Sequence, residues 1–300
     1  MADHDLVLVT GAGGVGRLVT ERLRAQNVPV RVLVRGEDDR AAAVRALGAE
    51  VVTGDLTRPD TVAAALDGVR RTYFGLSVSQ DHLLAATVLA TVAKAHAGLD
   101  VLVDLSQMTV SQMTATSTGE SHQQRLHWLS EQVLNWSGLP VVHIRPTAFL
   151  DNPLFTTLAA RSLRDNGTIA LPFGTGRTSP VAVDDVARVV ATVLRDPAPH
   201  VGQVYELTGP RSVDMTELAA EFSRALGRPV SYVDVPLDRW QAGLSRMGLP
   251  PHVEQHVATM AQLHRDNRYD RATGGVERVT GMPPQSIEEF VTAHRNLYLG

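Results

Sequence analysis

The chain has 300 residues, with 28 basic and 32 acidic side chains, a formal charge of -4 and 44% hydrophobic content, ordinary for a globular chain of one large or two closely packed domains. That balance, with no basic patch interleaved with aromatics, argues against nucleic-acid contact, and no apolar run approaches the roughly 20 residues that span a bilayer. The lack of cysteine removes disulfides, thiol nucleophiles and Cys-ligated metals. Met1-Ala2-Asp3-His4-Asp5 leads straight into an apolar run, so no signal segment and a cytoplasmic location are expected.

The first element is the strand-like run Leu6-Val7-Leu8-Val9. It breaks into Thr10-Gly11-Ala12-Gly13-Gly14-Val15-Gly16-Arg17 and then a helical pattern over 18–25. Strand, glycine turn and helix in that order make a phosphate-binding unit. Gly11 takes the tight turn, Gly13 lets the backbone approach a pyrophosphate, and Gly16 lets the helix lie close to the strand. Gly14 and Val15 complete the turn where the helix N-terminus offers unpaired N–H groups to the anion. A glycine-rich turn with no ligand is the competing structural reading. A second strand over 28–34 completes the βαβ unit and ends in Arg35. An NAD-selective protein places an acid there, whereas arginine suits the 2′-phosphate of NADPH. Glu37, Asp38 and Asp39 just beyond could reach a ribose hydroxyl, which leaves NADH possible.

Strands over 50–52 (before Gly54-Asp55-Leu56), 71–76, 101–105 and 141–144 alternate with helices over 61–66, 83–96 and 122–136. The last of these helices ends at Ser137-Gly138-Leu139-Pro140, where Gly138 suits the residue after the cap. Strict alternation predicts an α/β fold with a doubly wound parallel sheet. Ligands of such sheets lie at the C-terminal strand ends, which carry the turn after Val9, Arg35, Asp55, Leu56, Leu76, Ser77, Ser106, Pro146 and Thr147. From residue 153 the pattern changes. Pro172-Phe173-Gly174-Thr175-Gly176-Arg177 reads as a loop, and a helix opens at Val183 with Asp184 as its cap and runs to 194. A run over 204–207, a helix over 215–226, a strand over 230–235 and helices near 238–247, 251–266 and 286–297 follow. We expect a Rossmann domain over 1–152, with 180–208 returning to it, and a smaller α/β substrate-binding lid over 153–300.

Together these blocks resemble the NmrA-like group of atypical short-chain dehydrogenases/reductases. The likeness covers essentially the whole chain. It rests on Val9-Thr10-Gly11-Ala12 with the glycines after it, Val32-Leu33-Val34-Arg35, Gly54-Asp55-Leu56, Ser137-Gly138-Leu139-Pro140 leading to Arg145-Pro146-Thr147-Ala148-Phe149 and Asn152, Val183-Asp184-Asp185-Val186-Ala187, and Tyr205-Glu206-Leu207-Thr208-Gly209-Pro210. The resemblance implies an NAD(P)-binding Rossmann domain, a small substrate domain, and a role as an NAD(P)H-dependent reductase or a redox-sensing regulator. It implies that Pro146 and Phe149 join the cofactor set, and that Gln107, Gln123, Asn152, Phe173 and Trp240 approach the substrate. The glycine loop departs from the family pattern by looking one residue shorter, so the pyrophosphate grip would differ in detail.

The larger departure concerns catalysis. Typical short-chain reductases use a Tyr-x-x-x-Lys pair, and none of Tyr73, Tyr205, Tyr232, Tyr269 or Tyr298 has lysine four residues on; the sole lysine is Lys94. Aligned through the helix before Ser137-Gly138, the pair falls on Gln123 and His127. His127 could hydrogen-bond the nicotinamide ribose or deliver a proton, oriented by Glu131 one turn later, or the two could simply hold the helix to its neighbours. His122, after the flexible-looking segment 111–121, is a second catalytic candidate or a solvated residue at the helix start. Ser106 matches the place where such reductases hydrogen-bond the substrate oxygen, or it is a strand-end hydroxyl. Asn152 closes the pocket or satisfies loop backbone. His252, His256 and His264 share one helix but lack an acidic third ligand, so no metal is expected. Met247, Met260, Trp240 and Leu263 read as lid packing or cavity lining.

Hydride transfer to a quinone or an extended conjugated ketone leaves a delocalised oxyanion and needs less protonic help than a simple alkoxide. The expected activity is therefore an NADPH-dependent reduction of quinone-like or aromatic polycyclic carbonyl substrates, in a monomer or homodimer. A non-enzymatic NADP(H)-binding sensor is the alternative.

Overall fold

A computed structural model describes residues 6–96 and 98–299. The reading of residues 1–5 as leading directly into the first strand lies outside the described residues. The elements run β1 (Val7–Thr10), α1 (Gly14–Ala25), β2 (Val30–Val34), α2 (Asp39–Ala46), β3 (Glu50–Thr53), α3 (Pro59–Leu66), β4 (Arg71–Phe74), α4 (His82–His96), β5 (Val101–Leu105), α5 (His122–Ser137) and β6 (Val141–Pro146). A π-helical turn (Leu154–Ala159) precedes α6 (Ala160–Asn166). Then come β7 (Thr168–Leu171), α7 (Val183–Arg195), β8 (Val204–Leu207), α8 (Met215–Leu226), β9 (Ser231–Asp234), α9 (Leu237–Ser245), α10 (Pro251–Arg265), α11 (Gly275–Thr280), α12 (Ile287–Ala293) and α13 (Arg295–Leu299).

Seven strands form one sheet in the order β3-β2-β1-β4-β5-β6-β8, and β7 and β9 form a separate parallel pair. The pairings from β3 through β6 are all parallel. This is the doubly wound Rossmann arrangement. Strand order reverses between β1 and β4, and in such sheets the crevice at that point receives the ligand. β1 is buried along its whole length, as a central parallel strand covered on both faces must be. In α1, Val15, Val19 and Leu23 repeat every four residues and bury one stripe, with Gly16 and Thr20 beside them.

The chain divides into two compact units. The first comprises Met1–Val110, Gln123–Arg145 and Val186–Tyr205; the second comprises Ser111–His122, Pro146–Asp185 and Glu206–Gly300. The sequence placed the boundary at 152, but the segments 111–122 and 146–152 group with the second unit. In the first unit, Leu8, Phe74 and Leu102 on one sheet face pack under Leu66, Leu89 and Leu134 from α3, α4 and α5. In the second, Leu171, Phe173, Phe222, Phe290 and Tyr298 form a separate core.

Three expectations require correction. Asp184 is not the cap of α7: it lies inside the helix, and the Val183 N–H donates instead to Asp151 Oδ2 at 2.9 Å. The segment 111–121 is not loose. It starts in a 3-10 turn over Met108–Gln112, Arg268 bonds Gln112 and Glu120, and Arg271 donates to Ser111 Oγ at 2.9 Å. The helix expected over 286–297 is broken at His294 into α12 and α13. Among the described residues no helix is long and apolar enough to cross a membrane.

Candidate functional site

The site begins at the glycine turn. Gly11 has φ +91°, a conformation that side chains rarely adopt, and its N–H donates to Leu33 O at 3.0 Å, tying the turn to β2. A Cβ on Gly16 would lie 2.3 Å from Gly11 O, so only glycine lets α1 approach this closely. Thr10 Oγ1 donates to Gly75 O at 3.0 Å and accepts from Gly75 N at 2.9 Å, which locks the ends of β1 and β4 together. Gly75 is required in turn, because a Cβ there would meet Tyr73 Oη at 2.3 Å. Gly13 precedes α1 in an extended conformation, and no side chain caps the helix; its first turn carries no acid. An N-terminus with uncapped N–H groups, opening after a turn no Cβ obstructs at Gly14, fits a pyrophosphate.

Arg35 is exposed at the end of β2 and makes no hydrogen bond or ion pair among the described residues. Two of the three acids that compete for its role are engaged elsewhere. Glu37 binds Arg45 at 2.7 Å, and Asp38 caps α2 through Ala41 N at 2.9 Å while binding Arg40. Arg40 was missed by sequence reasoning. Its Nη1 comes within 3.9 Å of where a Cβ on Gly13 would sit, which puts a second guanidinium beside the turn. Asp55 accepts from Thr57 N and Thr57 Oγ1, both at 2.8 Å; those bonds, the backbone one foremost, hold its carboxyl below the usual range. Leu56 and Leu76 are partly buried against the first core, and Ser77 is exposed.

Ser106 follows β5 on the crevice side. It is buried, its N–H donates to Ile144 O at 2.8 Å, and its hydroxyl has no hydrogen-bond partner among the described residues. Gln107 beside it is half-buried. Gln123 is buried near the start of α5, its Oε1 accepting from Ser79 N at 3.0 Å. His127, one turn on, is buried with its ring over that of His82, centroids 3.9 Å apart. His122 is exposed, and its N–H donates to Gln255 Oε1 at 3.2 Å.

The structure corrects the pairing of His127 with Glu131. Glu131 forms a bidentate ion pair with Arg145 of β6, with Nε to Oε1 at 2.9 Å. Beside it, His143 Nδ1 meets Asp104 Oδ2 at 2.8 Å and Nε2 meets Asn135 Oδ1 at 3.0 Å. Burial draws the His143 pKa down, but the hydrogen bond and charge of Asp104 outweigh it and hold the ring above its ordinary value. Residues 127, 131 and 135 share one face of α5, which lays a polar stripe over Asp104, His143 and Arg145. Asp104, Glu131 and His143 bring ligand-type atoms within 4.8 Å of one another. Each already pairs with a protein partner, and with Arg145 occupying Glu131 the cluster reads as an ion-pair network.

The remaining candidates lie in the second unit. Pro146 ends β6 and Phe149 forms a parallel bridge with Val181. Asn152 Oδ1 accepts from Leu154 N at 2.9 Å, so it satisfies loop backbone. Phe173 is corrected from a substrate contact to a core residue: it has no exposed surface and stacks on His264 with centroids 4.0 Å apart. Trp240 is half-buried against the same core. The α10 histidines diverge, with His256 bonding Ser121 Oγ at 2.8 Å and His264 Nδ1 donating to Met260 O at 2.7 Å.

A doubly wound sheet with an uncapped glycine turn at its switch point defines a dinucleotide-binding Rossmann protein of the atypical short-chain dehydrogenase/reductase class. The sequence profile of the NmrA-like family matches residues 3–293, and the chain belongs to that family. It is 29% identical over 291 residues to an NAD(P)H azoreductase of Xenophilus azovorans, covering 96% of this chain and 97% of the relative. It is 30% identical over 294 residues to a (4-alkanoyl-5-oxo-2,5-dihydrofuran-3-yl)methyl phosphate reductase of Streptomyces griseus, covering 98% and 99%. In fold it is similar to the NADPH-dependent quinone oxidoreductase of Escherichia coli in complex with NADPH, with a TM-score of 0.83, 24% identity and coverage of 97% and 100%.

Proposed function

We propose that this chain is an NADPH-dependent reductase of quinone-like or aromatic polycyclic carbonyl acceptors, with Ser106 and His127 at the acceptor oxygen. The observation that carries the reading is the Ser106 hydroxyl, buried at the crevice end of β5 without an internal hydrogen-bond partner. A buried O–H is costly to leave unpaired, and an acceptor oxygen bound there satisfies it. The named activities of the azoreductase, the furan phosphate reductase and the quinone oxidoreductase support reduction with a nicotinamide cofactor.

The bound dihydronicotinamide supplies the hydride. The glycine turn and the α1 N-terminus hold the pyrophosphate, and Arg35 with Arg40 takes the 2′-phosphate. Ser106 donates to the oxygen on which charge develops, and His127 supplies the proton. With no tyrosine–lysine pair in the sequence, the chain relies on acceptors whose conjugation spreads that charge.

The test is NADPH oxidation against quinones and polycyclic ketones, with NADPH and NADH binding titrated in parallel. We expect turnover, a kcat loss of about 100-fold in Ser106→Ala, and about tenfold weaker NADPH binding in Arg35→Ala with NADH affinity unchanged. Tight NADPH binding without oxidation of any acceptor overturns the reading in favour of a cofactor sensor. Unchanged activity in His127→Ala removes His127 from the mechanism.

A further inference from the structure

Asp38 stands between β2 and α2, three residues beyond Arg35, and each of its carboxylate oxygens has a separate task. Oδ1 accepts from Ala41 N at 2.9 Å, the bond that caps α2. Oδ2 accepts from Arg40 Nε at 2.8 Å and from Arg40 Nη2 at 2.6 Å. The cap alone needs no charge, since asparagine serves there as well as aspartate. Holding the guanidinium does need it. An asparagine that keeps the cap with its oxygen turns an NH2 group toward Arg40, a donor facing a donor. With the Nε and Nη2 edge of Arg40 held on Asp38, the opposite edge, formed by Cδ and Nη1, lies along the glycine turn: both atoms are 3.9 Å from where a Cβ on Gly13 would sit. Nη1 has no hydrogen bond among the described residues. The Arg40 and Asp38 side chains are 72% and 43% exposed. Exposed pairs of this kind add little stability, so what the contact fixes is the direction of the guanidinium. An acid placed after β2 ordinarily bonds the ribose hydroxyls and disfavours a 2′-phosphate. Here both Asp38 oxygens are committed, and Glu37 is held by Arg45 at 2.7 Å.

We propose that Asp38 is a positioning residue for the 2′-phosphate of NADPH: capping α2 with one oxygen and holding Arg40 with the other, it aims Arg40 Nη1 at the glycine turn and so favours the phosphorylated cofactor. This role rests on the assignment of Arg35 and Arg40 to that phosphate under the proposed function. It adds that an acid, the residue type that selects NADH at this place in other Rossmann sheets, works here in the opposite sense. The cap anchors the carboxylate to the first turn of α2, and the two bonds to Oδ2 anchor the arginine to the carboxylate. Arg40 therefore meets the cofactor with one edge already fixed, and less side-chain freedom is lost when the phosphate binds. A lysine at this position would carry the charge but offer no second edge to hold.

NADPH and NADH differ only in the 2′-phosphate, so titrating both without an acceptor isolates the effect from turnover. The discriminating variant is Asp38→Asn, which keeps the cap and releases Arg40. We expect it to bind NADPH about threefold more weakly with NADH affinity unchanged, and to cause no such loss when Arg40 is already alanine. An acid that merely repels phosphate gives the opposite sign. Tighter NADPH binding in Asp38→Asn, or an equal loss with and without Arg40, overturns the proposal. Should the variant not fold, the Arg40 Nε–H resonance of the wild-type protein without nucleotide decides: motion more restricted than that of unpaired Arg35 supports the tether, and equal motion overturns it. If Arg35→Ala and Arg40→Ala both leave NADPH affinity unchanged, the assignment of the phosphate falls and the proposal with it. A loss in Arg40→Ala with none in Asp38→Asn removes the positioning role alone.

Discussion

His143 of the first unit and His256 and His264 of the second have pKa values shifted in opposite directions. In the first unit His143 faces a carboxylate and is held above its ordinary pKa despite its burial. In the second, burial pushes His256 and His264 down to about 4. His256 has the Ser121 hydroxyl beside it, and His264 lies between Phe173 and Tyr269, with centroids 4.0 and 4.1 Å away. All three rings are buried. The partner therefore decides the charge: a carboxylate stabilises the cation, whereas hydroxyl, carbonyl and π-face partners do not repay its desolvation. In the first unit His143 is paired with a carboxylate, whereas in the second His256 and His264 are buried as neutral rings.

The contrast can be broken most severely at the Glu131–Arg145 pair. Glu131 is fully buried, and Arg145→Leu leaves its charge uncompensated, at a cost of about 3–5 kcal/mol. Urea unfolding measures the loss, and adding Glu131→Gln in the same chain should recover most of it. The next effect is acid destabilisation of the second unit. For a histidine whose folded pKa is depressed, the stabilisation is complete above the unfolded value near 6.5 and is lost as pH falls toward the folded value of about 4. Each of His256 and His264 contributes on the order of 3 kcal/mol across that window, and His264→Phe should flatten the slope of unfolding free energy against pH by one histidine's share. His143 has the opposite sign. Its folded pKa is raised, so its contribution is complete below the unfolded value and is lost as pH rises through the folded one. Asp104→Asn should reverse this, bringing the His143 ring titration below its ordinary value; a ring that still titrates high by NMR would show that Asp104 is not the cause.

Much of the fold was legible because its signals are local. The strands are short apolar runs, Gly11 and Gly16 mark the turn, and α8 begins and ends where Asp214, Glu217 and Gly227 supply its capping box and left-handed C-cap. The places of Arg35 and Ser106 just after β2 and β5 were legible, since the apolar runs before them mark where the strands end. The errors share one physical cause. Glu131 stands four residues from His127 on one helix face, and helical spacing makes them neighbours, but Arg145 from β6 offers a planar bidentate donor that imidazole cannot match. Asp184 sits where a cap is expected, yet Asp151, thirty-two residues earlier, reaches Val183 first. Phe173 lies in a polar-looking loop and was drawn into the core by the π-faces of Phe155 and His264.

The amino-acid sequence by itself determined the alternation of strand and helix, the dinucleotide turn, the lack of a tyrosine–lysine pair and the family. These are properties of spacing and residue type, carried by interactions within a few residues of chain. Only the tertiary structure decided which buried charges compensate one another, which histidine meets which ring, and that His82 lies beneath His127. Those outcomes are contests between partners far apart in the chain, settled by which of them the sheet register and helix packing bring within hydrogen-bond reach in a low-dielectric interior.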